Sequence, residues 1–299
     1  NHMDLMLSFE GEFNGSRYGD RVLAMDFNGD GYDDLIVHST RWNPTGAYAE
    51  SLWHGKLYFY WGGPAMDTIP DFVMQGSYNW EYGVASPING GDINGDGIDD
   101  LVINYYIDPD PVAAVYFGTA NPTGAPDLAI VFPFEIEIYP QVTALGDING
   151  DGHADLLGTT HPFSNLGVKK YIWTGNANPF YLLAETTNDA TETNAIGVGD
   201  TNADGFDDYV LQYAVPGGTN ANNRIVLYYG SDSFPVVDSL VITENTNRVL
   251  PYLASPLGDL NNDGFADFNT FCDRVWFGSN QINENHDFVL NIHDQNHDW

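Results

Sequence analysis

The stretch DINGDGIDDLVI at 92–103 decides how this chain reads. Oxygen-bearing side chains stand at alternate positions 1, 3 and 5 (Asp92, Asn94, Asp96), glycine at position 6 (Gly97) and a further carboxylate, Asp100, at position 9, where an apolar run begins. The pattern recurs as DFNGDGYDDLIV (26–37), DINGDGHADLLG (147–158), DTNADGFDDYVL (200–211) and DLNNDGFADFNT (259–270), with successive starts 66, 55, 53 and 59 residues apart. Self-similarity at such a period marks a repeat architecture.

Working outward, each copy is followed by an aromatic segment ending in glycine: YFYWGG (58–63), VYFG (115–118), YIWTG (171–175), VLYYG (226–230) and VWFG (275–278). A further apolar stretch follows each: FVM (72–74), LAIVF (128–132), YLLA (181–184), LVI (240–242) and FVL (288–290). Runs this short, bounded by Gly, Asn, Asp and Pro, are strands by length and residue type. One repeat therefore predicts four strands: a (RVLAM, 21–25, in the first copy), b leaving the acidic loop (DLIVH, 34–38), c the aromatic-Gly segment and d the last apolar stretch. Repeats of this length with four antiparallel strands are propeller blades. The expected fold is all-β, a five-bladed β-propeller filling 4–299 as one domain, with NHM at 1–3 read as a cloning scar. A two-domain β-sandwich is the rival, but it would not put the same loop in every repeat. One strand is surplus in this count: LMLSFEG (5–11) looks like a strand d, and so does HDFVLNI (286–292), so the chain is either a closed five-bladed ring or a piece of a larger one.

The loop chemistry points to a hard cation. Calcium takes six to eight oxygen ligands from carboxylates, amide oxygens and backbone carbonyls. The first set would be Asp26, Asn28, Asp30 and Asp34 with the carbonyl of Tyr32 at position 7, and glycine at position 6 supplies the turn. The others are Asp92, Asn94, Asp96 and Asp100 with Ile98; Asp147, Asn149, Asp151 and Asp155 with His153; Asp200, Asn202, Asp204 and Asp208 with Phe206; and Asp259, Asn261, Asp263 and Asp267 with Phe265. Only the carbonyl would be used at position 7, so the His153 imidazole is no ligand. Without a cation the loop would be an Asx-turn hairpin in which three carboxylates in nine residues repel. An EF-hand needs Glu at position 12, where this chain has Val37, Ile103, Gly158, Leu211 and Thr270. Position 4 is Gly29, Gly95 and Gly150 in three loops but Ala203 and Asn262 in two, which predicts a backbone there that is not left-handed in the latter pair.

With the downstream aromatic-Gly segments, these loops resemble the FG-GAP/VCBS repeats, the calcium-binding repeats of integrin-alpha-type β-propellers. The resemblance covers nearly the whole chain. It departs in blade number, integrin propellers having seven, and in the aromatic-Gly pair before strand a: YG at 18–19 and 82–83 keeps it, whereas IYPQV (138–142) and RVLPY (248–252) do not. The implied metal role is structural, with about five Ca²⁺ pinning the a–b hairpins. Five ions would move the net charge from −33 to −23, each adding two.

Composition narrows the partners. The 299 residues carry 42 Asp+Glu against 9 Lys+Arg. Such a field repels phosphate backbones and excludes nucleic-acid binding by counterion release. No apolar run reaches the ~18 residues of a membrane span, so no membrane insertion is expected. Cys272 is the only cysteine, which rules out an intrachain disulfide and suggests a buried strand residue. Calcium sites built from Asp need ambient calcium above cytosolic levels, which points to the cell exterior, cell surface or periplasm and to a piece of a larger secreted protein.

Variation concentrates at the end of the blades away from the acidic loops. From the first loop Asp to the strand c glycine takes 36 residues in repeat 1 and 26, 28, 30 and 19 in the others. The excess, STRWNPTGAYAESLWHGK (39–56), joins GSYNWEYG (76–83) in offering Arg41, Trp42, Tyr48, Trp53, His54, Tyr78 and Trp80 as an aromatic patch for a glycan or a protein ligand. The alternative is that these side chains pack the long loop onto its own blade. The chain reads as a binding or adhesion module, not an enzyme. A polysaccharide lyase or hydrolase on a calcium propeller is the second reading, weakened by the few basic residues. Nearly all acidic pairs belong to the loops, no G-x-S-x-G, H-E-x-x-H or P-loop motif occurs, and His161 and His54 lack an evident nucleophile. The histidines of NHDFVLNIHDQNHDW (285–299) read as a polar tail.

Overall fold

A computed structural model describes residues 7–46, 53–76, 86–106, 111–131, 141–160, 169–175, 181–185, 191–214, 224–233, 238–243, 254–270, 274–282 and 287–289. The chain is all-β: among the described residues, twenty strands form five four-stranded antiparallel sheets, the blades of a five-bladed β-propeller. It divides into two compact units, Asn1–Val142 and Thr143–Trp299.

In the first unit, blade 1 contains β1 (Tyr18–Met25), β2 (Asp34–Ser39), β3 (Lys56–Tyr60) and β4 (Phe72–Gln75), paired in that order. Blade 2 contains β5 (Ser86–Asn89), β6 (Leu101–Tyr106), β7 (Pro111–Tyr116) and β8 (Leu128–Val131). In blade 1, β1 and β2 are the predicted a and b runs extended by three residues and one residue, β3 starts two residues before the predicted c run and ends at Tyr60, short of its Trp61, Gly62 and Gly63, and FVM becomes β4 with one residue added. Alternation sorts the side chains. Ile36, Leu57 and Phe59 point toward blade 2, forming a core with Leu101, Ile103, Ala114 and Tyr116. Val37, Tyr58 and Tyr60 take the opposite face, where Phe9, Tyr18 and Met66 cover them. Residues buried on both faces explain why b and c strands read as unbroken apolar runs.

The second unit holds blade 3 (β9 Gln141–Gly146, whose first two residues lie before the unit boundary, β10 Asp155–Thr160, β11 Lys169–Trp173, β12 Tyr181–Glu185), blade 4 (β13 Thr191–Gly199, β14 Asp208–Ala214, β15 Arg224–Tyr228, β16 Ser239–Thr243) and blade 5 (β17 Ser255–Gly258, β18 Asp267–Thr270, β19 Arg274–Trp276, β20 Phe288–Val289). Tyr209 and Leu211 of β14 face Leu157 and Ile172 of blade 3, while Val210 between them faces Phe268 and Trp276 of blade 5. A single strand thus belongs to two cores.

One expectation fails here. Residues 7–11 form no strand, so the surplus d-like strand at the N-terminus does not exist in the described part of LMLSFEG. Leu7 and Phe9 look like alternating strand residues, but Phe9 instead lays its ring edge-on to Tyr60 with centroids 4.8 Å apart. Each blade is built from four consecutive strands, β17–β20 included.

Candidate functional site

All five acidic loops close on their own backbone by one scheme. The position 1 carboxylate accepts the amides of positions 5 and 6: Asp30 and Gly31 on Asp26 at 3.1 and 2.8 Å, and Asp263 and Gly264 on Asp259 at 3.0 and 2.8 Å. The position 3 amide oxygen accepts the position 5 N–H, as Asn94 does from Asp96 at 2.9 Å. The position 5 carboxylate accepts the position 7 N–H, as Asp151 does from His153 at 3.1 Å. These are Asx turns stacked in sequence, which explains why Asp and Asn alternate. Glycine at position 6 has φ near +90° in every loop, +87° at Gly31 and +93° at Gly264. An added Cβ at Gly31, Gly97, Gly152, Gly205 or Gly264 would touch nothing within 4 Å, so only the backbone angle requires glycine there.

Position 4 corrects an expectation. Ala203 and Asn262 have φ of +55° and +60°, so the backbone is left-handed with or without glycine. The carboxylate–amide bonds of the loop impose that conformation, and the chain tolerates the side-chain cost, small for Asn and about 1 kcal/mol for Ala. Glycine at positions 29 and 150 has a second reason. A Cβ would come within 2.6 Å of the next blade's position 7 side chain, Ile98 at Gly29 and Phe206 at Gly150.

The position 9 aspartates behave differently from the rest of the loop. Asp34, Asp100, Asp155, Asp208 and Asp267 are at most 1% exposed. Each accepts the position 2 amide on Oδ2 and the strand c glycine amide on Oδ1: for Asp100, Ile93 at 2.8 Å and Gly118 at 2.8 Å. Thr201 adds its hydroxyl to Asp208. Burial, opposed by these amides, pushes the carboxyls of Asp100, Asp155 and Asp208 up to about 7, and that of Asp34 upward. The strand c glycine is therefore fixed by close approach. A Cβ at Gly118 would lie 2.4 Å from the carbonyl oxygen of Asp99, and at Gly230 2.4 Å from that of Asp207.

Neighbouring blades are joined through the same loops. The position 8 amide donates to the position 1 carbonyl of the preceding blade: Asp99 to Asp26 at 3.3 Å, Asp207 to Asp147 at 2.9 Å and Ala266 to Asp200 at 2.9 Å. The residue after the strand c glycine donates to the position 2 carbonyl: Thr119 to Phe27, Ser231 to Ile148 and Ser279 to Thr201, at 2.7 to 2.9 Å. The sequence reading missed both staples, as well as a second recurrent aspartate. Asp71, Asp127 and Asp287 precede strand d and cap the amides of Trp61, Phe117 and Phe277 at 2.8 to 2.9 Å.

Among the described residues, no three His, Cys, Asp or Glu side chains gather as a preformed metal cluster. The position 1 and 5 carboxylates face loop amides at the surface, and the position 9 carboxylate is turned to strand amides. The donor chemistry nevertheless fits a calcium ion. Each loop offers only hard oxygens, and the raised position 9 carboxyls mark a negative charge that burial penalises and a bound cation would offset.

At the opposite end of blade 1, Trp42 is 6% exposed and donates its indole N–H to Glu12 Oε2 at 2.7 Å. Its carbonyl accepts the amides of His54 and Gly55 at 3.0 Å. Arg41 stacks its guanidinium 4.4 Å from the Trp53 ring centre, and His54 pairs its Nδ1 with the Gly76 carbonyl at 3.1 Å. Arg41, Trp53 and His54 are half-buried, whereas Trp42 is an anchor without a free ring face. Tyr48, Tyr78 and Trp80 lie outside the described residues, as do Cys272, His161 and the tail from 290 onward. Glu12, which no motif signalled, also receives Lys56 Nζ and, at 3.0 Å, the hydroxyl of Tyr58.

A cavity of about 290 Å³ opens between blades 1 and 2, walled by Phe27, Phe72, Met74 and Tyr116 with Asn94 and Asp96 on its rim. Its described lining contains no Lys, Arg or His.

These loops and blades define a repeat β-propeller. The FG-GAP-like repeat family matches residues 92–158, which include the second and third acidic loops. Over 161 residues the chain is 25% identical to integrin alpha-5 of Xenopus laevis, covering 51% of this chain and 15% of that protein. The repeats thus resemble those of the FG-GAP, integrin-alpha type. The chain spans only about 15% of the length of that relative. Among the described residues, no helix is long and apolar enough to cross a membrane.

Proposed function

We propose that this chain is a calcium-stabilised binding module of the cell exterior or cell surface, part of a larger secreted protein, that recognises a protein ligand through the loop-rich end of blade 1. One observation carries the reading: five loops of a single oxygen-rich design occupy one end of the blades, leaving the opposite end of blade 1 to a long segment bearing Arg41, Trp53 and His54. Recognition sits on loops held by a rigid scaffold, and the integrin-alpha resemblance favours protein over glycan as the ligand. The calcium ions would be held by the position 1, 3, 5 and 9 side chains and the position 7 carbonyl, and would supply neutralising charge. Tyr48, Tyr78 and Trp80, outside the described residues, are assigned to the same patch by sequence alone. A peptide-display screen run beside a glycan array, both in millimolar calcium, tests the reading. Selective peptide hits lost on Trp53→Ala support it, and glycan hits alone would replace protein by glycan.

A further inference from the structure

The end of blade 1 contains a built receptor for a carboxylate. Lys56 and Tyr58 are alternate residues of β3 and project from the same face. Both are buried, at 9% and 4% exposure. The Lys56 ammonium sits 4.8 Å from the ring centres of Trp42 and Tyr58. A buried ammonium is costly unless an anion completes it, and cation–π contacts alone leave its charge uncompensated. The anion is Glu12. Its Oε1 takes Lys56 and Tyr58, and its Oε2 takes Trp42.

The two sides of this contact differ. The donors are fixed on a strand and in a buried segment. The acceptor rides on an irregular stretch whose Glu10, Gly11, Asn14 and Gly15 are exposed, and its own side chain is 45% exposed. Phe9 against Tyr60 and the carbonyl of Ser16, bonded to Ser39 and Arg41, tether the stretch on either side. We infer that Trp42, Lys56 and Tyr58 form a carboxylate seat that Glu12 fills in cis and that an acidic side chain of a peptide partner takes in its place. Charge-assisted bonds from three donors give such a seat both strength and direction. A peptide is favoured over a uronate because all three donors are spent on the carboxylate. A methylene stem needs no other partner, whereas sugar hydroxyls would. The seat adjoins Arg41, Trp53 and His54 through Trp42, so the inference rests on the binding-module reading and names the ligand chemistry at its surface.

The test uses the full chain carrying Glu12→Ala. Acetate should raise its melting temperature by about 2 °C at tenfold excess over Kd, while chloride at matched ionic strength should not, and wild type should ignore both. A synthetic peptide of residues 9–16, FEGEFNGS, should shift the tryptophan emission of the variant saturably, and the same peptide with Glu12→Gln should bind at least tenfold more weakly. Indifference of the variant to acetate and peptide alike overturns the seat, and galacturonate binding more tightly than the peptide overturns the peptide assignment. If Glu12→Ala loses cooperative melting, wild type is read instead by the NMR resonance of the Trp42 indole N–H. It should move with the Glu peptide and not with the Gln peptide, and no movement overturns the seat. Acetate rescue depends on the seat alone, so it can succeed even if the display screen finds no protein ligand.

Discussion

Asp147 and Asp207 hold each other in both directions. The Asp207 amide donates to the Asp147 carbonyl and the Asp147 amide donates to the Asp207 carboxylate, each at 2.9 Å. The first residue of one acidic loop is thereby bolted to the eighth of the next. Burial, ahead of any neighbouring charge, raises the Asp207 carboxyl above the usual range.

Asp207→Ala leaves the Asp147 amide without its partner and should cost about 1–3 kcal/mol in urea unfolding. Asp207→Asn keeps an acceptor oxygen and should cost less. Equal losses would show that the hydrogen bond is not what Asp207 contributes.

Two glycines of the second repeat should respond differently to alanine. At Gly97 nothing lies within 4 Å of a Cβ, so only the φ of +85° resists, at about 1–2 kcal/mol. At Gly118 the Cβ would meet the Asp99 carbonyl oxygen and Ile98 Cγ2 at 2.4 Å, and the Phe27 carbonyl of blade 1 at 3.0 Å. Gly118→Ala should be the more damaging by thermal melting, because backbone of two blades must shift.

Strands b and c were legible in the sequence because Leu101 to Ile103 and Ala113 to Val115 are buried on both faces and read as unbroken apolar runs. The Asx turns were legible because Asp and Asn must alternate to cap successive amides. Leu7 to Gly11 misled because local alternation cannot reveal that Phe9 has an aromatic partner far along the chain, Tyr60. Position 4 misled because the fold, not the residue, sets φ at Ala203. Asp71, Asp127 and Glu12 were hidden among 42 acidic residues, since a cap or a seat is recognisable only by its donors.

Trp42→Ala removes a buried ring and its bond to Glu12, and should cost about 3–5 kcal/mol. Trp53→Ala, at a half-buried site, should cost less. Denaturation curves of the two variants give the ranking, and a Trp53→Ala loss as large as that of Trp42→Ala would assign the segment to packing rather than recognition.

Calcium should raise the melting temperature by many degrees over EGTA. A ligand binding only the folded state adds about 2.7 kcal/mol per site at a hundredfold excess over Kd. An unchanged midpoint in millimolar calcium would remove the metal from the account of these loops.

Acid should release Glu12. Burial disfavours its charged form, but hydrogen bonds from Lys56, Trp42 and Tyr58 together outweigh this and hold the carboxyl below the usual glutamate range. A carboxyl depressed on folding stabilises above its unfolded pKa and loses that contribution as pH falls through the folded value. Wild type should therefore exceed Glu12→Gln in stability at neutral pH, and the difference should shrink as pH falls through and below the ordinary glutamate range. Melting both proteins across that range tests this, and a constant difference would contradict it.

The staples between blades have one direction. At the junctions of blades 1 and 2, 3 and 4, and 4 and 5, a repeat gives two amides backward and lends two carbonyls forward. The contact is heterologous, head to tail, so any repeat carries both halves of one interface. Tandem duplication of such a unit brings its own joints with it, and array length can change without inventing a new surface. Among the described residues, the segment between the second and third strands takes no part in these joints, so it can lengthen and diversify, as it has in the first repeat, while the joints stay unchanged.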